Sequence, residues 1–116
     1  MTIDAIREHC LKLPGATEDT PWEEHFAYKF GGKMFVITGM QAHPSMSIKV
    51  SPDDFAELIE REGIIPAPYL AKHKWVQLER SSVIPAKELK QLMTRSYELI
   101  RSKLSKKLQR ELGAVS

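Results

Sequence analysis

The stretch FAYKFGGKMFVIT, Phe26 to Thr38, admits few structures. Gly31 and Gly32 separate two aromatic and β-branched runs. Paired glycines supply the positive φ angles of a two-residue hairpin turn without steric cost. A turn at those residues places Phe30 opposite Lys33, Tyr28 opposite Phe35 and Phe26 opposite Ile37. One side of the ribbon then carries Phe26, Tyr28, Phe30, Phe35 and Ile37, and the other carries Lys29, Met34 and Val36. An aromatic side of that size implies something packed over it.

The flanking sequence supplies the cover. Thr2 is an N-cap for a helix to Lys12, with Ile3, Ile6 and Cys10 on one face and Pro14-Gly15 as its stop. Residues 16–25 read as an acidic connection containing Pro21-Trp22. After a loop from Gly39 to Pro44, Met46, Ile48 and Val50 alternate with Ser47 and Lys49, the pattern of a half-buried strand. Ser51-Pro52-Asp53-Asp54 starts a second helix: a capping serine, a proline at the first helical position, and two acids at the positive end of the dipole. Gly63 ends it. Residues 64–71 hold two prolines and read as irregular, with one turn near Tyr69 to Lys72. Lys74 to Glu79 is a fourth strand, with Val76 and Leu78 facing away from Trp75 and Gln77. Pro85 opens a long helix with Leu89, Leu92, Met93, Ser96 and Ile100 on its inner side and Lys87, Lys90, Thr94 and Arg101 opposite. Its phase breaks near Lys103, beyond which Leu104, Leu108 and Leu112 form a separate stripe. The expectation is an α+β fold, an antiparallel sheet of at least four strands with helices on one face, as one domain over residues 1–116 with a short C-terminal extension from about 104 to 116.

Net charge is only +2, but it is unevenly distributed. Residues 1–27 carry −4, residues 28–85 carry +1 and residues 86–116 carry +5. Such asymmetry fits an anionic partner, or two surfaces that attract each other within the fold. Cys10 is the single cysteine, which excludes an intrachain disulfide and a thiolate metal cluster. Its place on an apolar helix face predicts a buried, inert thiol. No stretch is apolar enough for a membrane span and no secretory leader is visible, so a cytoplasmic monomer is expected.

Taken together, these residues resemble the MmcQ/YjbR family of small bacterial proteins, over roughly residues 5–107. The likeness rests on Leu13-Pro14-Gly15 with Glu18, Pro21-Trp22, Phe26, Lys29-Phe30 and Gly32-Lys33-Met34-Phe35. It continues through Lys49, Pro66, Tyr69, Lys72, His73-Lys74-Trp75-Val76 and Ser96-Tyr97. The resemblance implies a fold similar to the bacterial frataxin CyaY, in the order helix, three strands, helix, strand, helix. It also implies DNA binding through a "double wing".

On the sheet side away from the aromatics, alternation places Lys29, Lys49, Trp75 and Gln77. Lysines that neutralise phosphates beside an indole on which a base can stack make a single-strand platform. Lys33 extends it at the hairpin tip, and Lys72, His73 and Lys74 border it. The structural alternative is that the 39–44 or 64–71 loop covers Trp75 and the lysines are a solvated face. Lys87, Lys90 and Arg101 offer a second basic surface on the last helix, continued by Lys103, Lys106, Lys107 and Arg110; an ordinary solvated helix face explains them as well. Glu18, Asp19, Glu23 and Glu24 with His25 form an acidic run that solvation explains better than a hard cation does.

No nucleophile meets a base in the sequence. His9 and Cys10 are adjacent, about 100° apart on a helix. None of HExxH, CxxC, GxGxxG, GxSxG or a P-loop is present. No enzyme, cofactor or metal site is called for. The leading expectation is a DNA- or RNA-binding protein of low sequence specificity. The other is a protein-interaction or small-ligand module on the same open face, with Met34, Val36, Tyr69 and Trp75 forming its apolar patch.

Overall fold

Gly31 and Gly32 take φ angles of +59° and +79°, and Phe30 pairs with Lys33, so the two-residue turn forms as the sequence predicts. The computed structural model describes residues 1–113. Helix α1 (Ile3–Lys12) leads into strand β1 (Thr17–Asp19), then the hairpin of β2 (Phe26–Phe30) and β3 (Lys33–Thr38), then β4 (Met46–Lys49). Helix α2 (Pro52–Leu58), β5 (Ile64–Pro66), β6 (Trp75–Leu78), α3 (Ala86–Arg101) and α4 (Lys106–Glu111) follow, with single 3-10 turns at Ala71–His73 and Ser81–Val83. The strands form one fully antiparallel sheet in the order β1-β2-β3-β4-β6-β5.

The predicted caps are in place. Thr2 Oγ1 accepts from the Ala5 N–H at 3.2 Å, and Ser51 Oγ accepts from the Asp54 N–H at 3.1 Å. Ser105 Oγ does the same for Leu108 after the predicted break, starting α4. The helices cover one sheet face. Ile6 and Cys10 of α1, Leu58 of α2 and Leu89, Leu92, Met93, Tyr97 and Ile100 of α3 pack on Tyr28, Phe30, Phe35, Val36, Ile48, Val76 and Leu78. Burial pushes the Cys10 thiol up to about 12, in keeping with an inert core residue.

Three features depart from the sequence reading. Two strands go unforeseen: β1 inside the acidic connection, held by pairing with β2, and β5 at the far edge, where Pro66 costs no ladder bond on its open side. The hairpin also contains a bulge. Lys29 pairs with Met34 but Tyr28 pairs with Val36, which leaves Phe35 as the extra residue. Past the bulge the alternation reverses: Val36 joins the helix-side core, and Ile37 turns to the other face beside Ala27 and Trp75. At the bulge the Ser96 hydroxyl donates to the Phe35 carbonyl at 2.8 Å inside the core. The leucine stripe packs back on the domain. Leu104 and Leu112 lie against the core, and a Cβ at Gly31 would come within 2.8 Å of Leu104 Cδ1. The final residues of the expected extension, 114–116, lie outside the described residues.

Candidate functional site

The open face of the sheet is not a flat lysine–indole platform. Trp75 does start β6 on that face, but only 5% of it is exposed. It packs on Ala27, Ile37 and Ala67, with Met34 and Leu70 against the same cluster. The chain after β5 folds over it, tied by the Ala67 N–H to the Trp75 carbonyl at 3.0 Å. Its ring is therefore closed to a stacking base, which corrects the expected role for this residue. The apolar patch is corrected too: Val36 lies in the helix-side core and Ile37 takes its place.

The predicted cations fall into separate groups. Lys29 Nζ donates to Asp19 Oδ2 at 2.8 Å across the β1–β2 pair, so its charge is matched. Strand directions bring Lys33, Lys49, Lys72, His73 and Lys74 to one end of the sheet, the end of the hairpin tip. There Lys49 Nζ donates to the His73 carbonyl at 2.8 Å, and Lys74 Nζ sits 4.9 Å from the centre of the Phe55 ring. Burial, with the charge of Lys103 adding, holds the Lys49 ammonium below the usual lysine range. Lys87 and Lys90 are exposed on α3, in the helix layer on the far side of the sheet. Arg101 is a fastening: Nη1 donates to Gln109 Oε1 at 2.7 Å and Nη2 to Glu98 Oε2 at 2.7 Å, locking α4 to α3. One continuous ten-residue surface is therefore not formed.

The acidic run is likewise divided. Glu18 meets Arg7 at 2.9 Å, Asp19 meets Lys29, and Glu23 turns to the open face. Among the described residues, no group of three or more His, Cys, Asp or Glu converges as a metal site would require. No helix among them is long and apolar enough to cross a membrane.

The open face carries a groove instead, with a volume of about 700 Å³. Its floor is Met34, Ile37 and Leu70 with the polar Ser47 and Gln77, a pair facing each other across β4 and β6. One wall is the β1–β2 connection with Trp22, Glu23 and His25; the other is the β5–β6 connection with Pro68 and Tyr69. Trp22 is 51% exposed and Tyr69 is 100% exposed, so neither is spent on the core. Both connections hold a non-glycine residue in the left-handed region, Glu24 at φ +64° and Tyr69 at φ +66°. For a bulky aromatic that conformation is an outlier, and such strain gathers at binding sites. No lysine or arginine lines the groove. Tyr69 and Met34 were legible as members of an apolar patch. Trp22, Glu23 and His25 were not, because only the fold brings the first connection over the same strands as the last.

The whole arrangement has known counterparts. Residues 11–99 match the family model described as YjbR. The chain belongs to the YjbR family. Protein DR2400 of Deinococcus radiodurans, which contains a DUF419 domain, has a crystal structure similar at TM-score 0.87. It is 31% identical, over 98% of this chain and 89% of that one. Two structures of target PsR293 from Pseudomonas syringae, one crystal and one NMR, match at TM-scores of 0.69 and 0.68 and 20% identity. They cover 86% of this chain and 99% and 93% of theirs, and they show the fold alone. No curated protein matches the sequence. Several residues on which the YjbR likeness rests have structural work. The Tyr97 hydroxyl donates to the Pro14 carbonyl, its ring meets Phe30 and Phe35 edge to face at 5.4 and 5.7 Å, and the Ser96 hydroxyl donates at the bulge. Trp22 and Tyr69, like Lys33, Lys72 and His73 of the same pattern, are exposed and belong to no part of the core.

Proposed function

We propose that this YjbR-family protein is a non-enzymatic binding module whose site is the groove on the open sheet face. The observation that carries this reading is the pair of exposed aromatic walls, Trp22 and Tyr69, over an apolar floor. Pockets for small molecules are mostly apolar clefts of roughly 300–1,000 Å³ with a few polar groups that set orientation. The groove matches that description in size, lining and polar content. A titration with acridine, a flat uncharged ring at pH 7.5, tests the reading. It should quench Trp22 emission saturably, and Trp22→Ala together with Tyr69→Ala should abolish binding while the circular dichroism spectrum is retained. Acridine that leaves the protein's spectra unchanged at its solubility limit contradicts the reading.

A second reading is favoured by the sheet end. Burial, with the charge of Lys103 adding, disfavours the charged form of Lys49, and a phosphate placed beside Lys49 favours it. Lys33, Lys72, His73 and Lys74 extend that end into an edge that can meet the backbone of DNA or RNA without base stacking, at low sequence selectivity. Oligonucleotide retention should then fall steeply with salt and should weaken in a Lys33→Ala, Lys72→Ala, Lys103→Ala variant. Absence of retention at low salt rejects it. Lys87 and Lys90 have no part in that edge.

A further inference from the structure

The lining of the groove also says what kind of ligand it takes. We infer that the groove selects a flat heteroaromatic compound that brings N–H donors or a positive charge, and discriminates against an anion. The inference rests on the groove being the binding site.

The argument is one of complementarity. The charged group on the walls is the Glu23 carboxylate, and no cation lines the groove to offset it. His25 Nδ1 lies 3.0 Å from the Glu23 carbonyl, which can only accept, so Nδ1 carries the proton. In the neutral ring Nε2 is left with a lone pair. The His25 ring stands at 88° to Trp22 with centres 6.3 Å apart, which fixes both rings in one wall. On the floor, the Ser47 hydroxyl and the Gln77 amide face each other across β4 and β6 and can each donate as well as accept, so they suit a ligand with N–H donors without demanding one. The groups that can only accept are the Glu23 carboxylate and the imidazole Nε2. The electron-rich faces of Trp22 and Tyr69 attract positive charge as well. A phosphate or carboxylate would meet Glu23 and two ring faces with no cation to balance it. Lys29, beside Met34 on the same face, is already matched by Asp19, and Lys33, Lys49, Lys72 and Lys74 lie at the hairpin-tip end of the sheet. The two binding chemistries of the fold are thus spatially separated.

Three probes built on one tricyclic ring test the inference: proflavine, a cation with amino donors; acridine, neutral; and acridine carboxylate, an anion. Proflavine should bind about ten-fold tighter than the carboxylate, because its charge is attracted both by the ring faces and by Glu23 while the carboxylate is repelled by them. Glu23→Gln should narrow that gap, and Trp22→Ala or Tyr69→Ala should each weaken proflavine about ten-fold. Each of these three residues is exposed, so the variants should fold. Equal or tighter binding of the carboxylate overturns the charge preference while leaving the groove as a site. Failure of acridine, the uncharged parent ring, to bind overturns the site itself, and the inference with it. Proflavine binding that survives both aromatic substitutions places the ligand elsewhere and also contradicts the inference.

Discussion

The Ser96 hydroxyl meets the hairpin bulge inside the core. It donates to Phe35, the residue that the bulge leaves without a partner on β2, at a site with no access to water. Ser96→Ala strands a buried carbonyl and should cost about 1–3 kcal/mol, read as a lower urea midpoint at unchanged m value. An unchanged midpoint would mean that the bulge holds without it. His9 carries a second residue-scale consequence. Burial, with Lys90 adding, depresses its imidazole below the ordinary value of 6.5, while Nε2 contacts Thr94 Oγ1 at 2.9 Å. The unfolded chain therefore binds more protons than the folded one just below pH 6.5, and stability should fall as pH drops through that window. His9→Gln keeps a hydrogen-bonding group toward Thr94 and should flatten the decline. The same decline in the variant would assign it to other groups. Neither role was visible in the sequence, where Ser96 sat among core positions with no evident partner and His9 beside a cysteine.

Elements with strong local signals were the legible ones. Paired glycines fixed the hairpin turn, Thr2 and Ser51 fixed two helix starts, and the phase break near Lys103 separated α3 from α4. Strand β1 was not legible, because Thr-Glu-Asp is short and acidic and is extended only by its pairing with β2; β5 was hidden by Pro66 and Pro68, which an edge strand and its exit tolerate. The bulge escaped for a different reason. Phe35, Val36 and Ile37 are all apolar, so a one-residue shift leaves the hydrophobic pattern unchanged while exchanging the faces. α4 makes a prediction at this scale. Leu104 and Leu112 pack over the hairpin end, and Gly31 has φ +59° with Leu104 against it. Gly31→Ala should lose on the order of 1–3 kcal/mol through strain and contact together, whereas Gly32→Ala, with open space for its Cβ, should lose less. Equal losses would show that Leu104 and Leu112, which flank α4, do not press on the turn.

Across the whole molecule, several lysines and the Trp75 indole were expected to share one uncovered patch; Lys49 does lie opposite Trp75, but the indole is covered and the other cations are divided. Strand alternation correctly sent Lys29, Lys49 and Trp75 to the open face. It could not foresee that Asp19 would match Lys29, because that partner arrives from a strand unseen in the sequence, whereas the cover over the indole is the 64–71 loop that the structural alternative named. Likewise Trp22 and Tyr69 lie far apart in the chain and meet over one groove only because β1–β2 and β5–β6 occupy opposite edges of the sheet. The most direct measurement is therefore a two-dimensional amide NMR titration of the intact chain with acridine. Shifts should concentrate on the Trp22 indole N–H and on the amides of Met34, Ile37, Tyr69 and Leu70, with the Lys33, Lys72 and Lys103 amides unmoved. Shifts confined to those lysines, or none at all, would contradict a binding site on the open face.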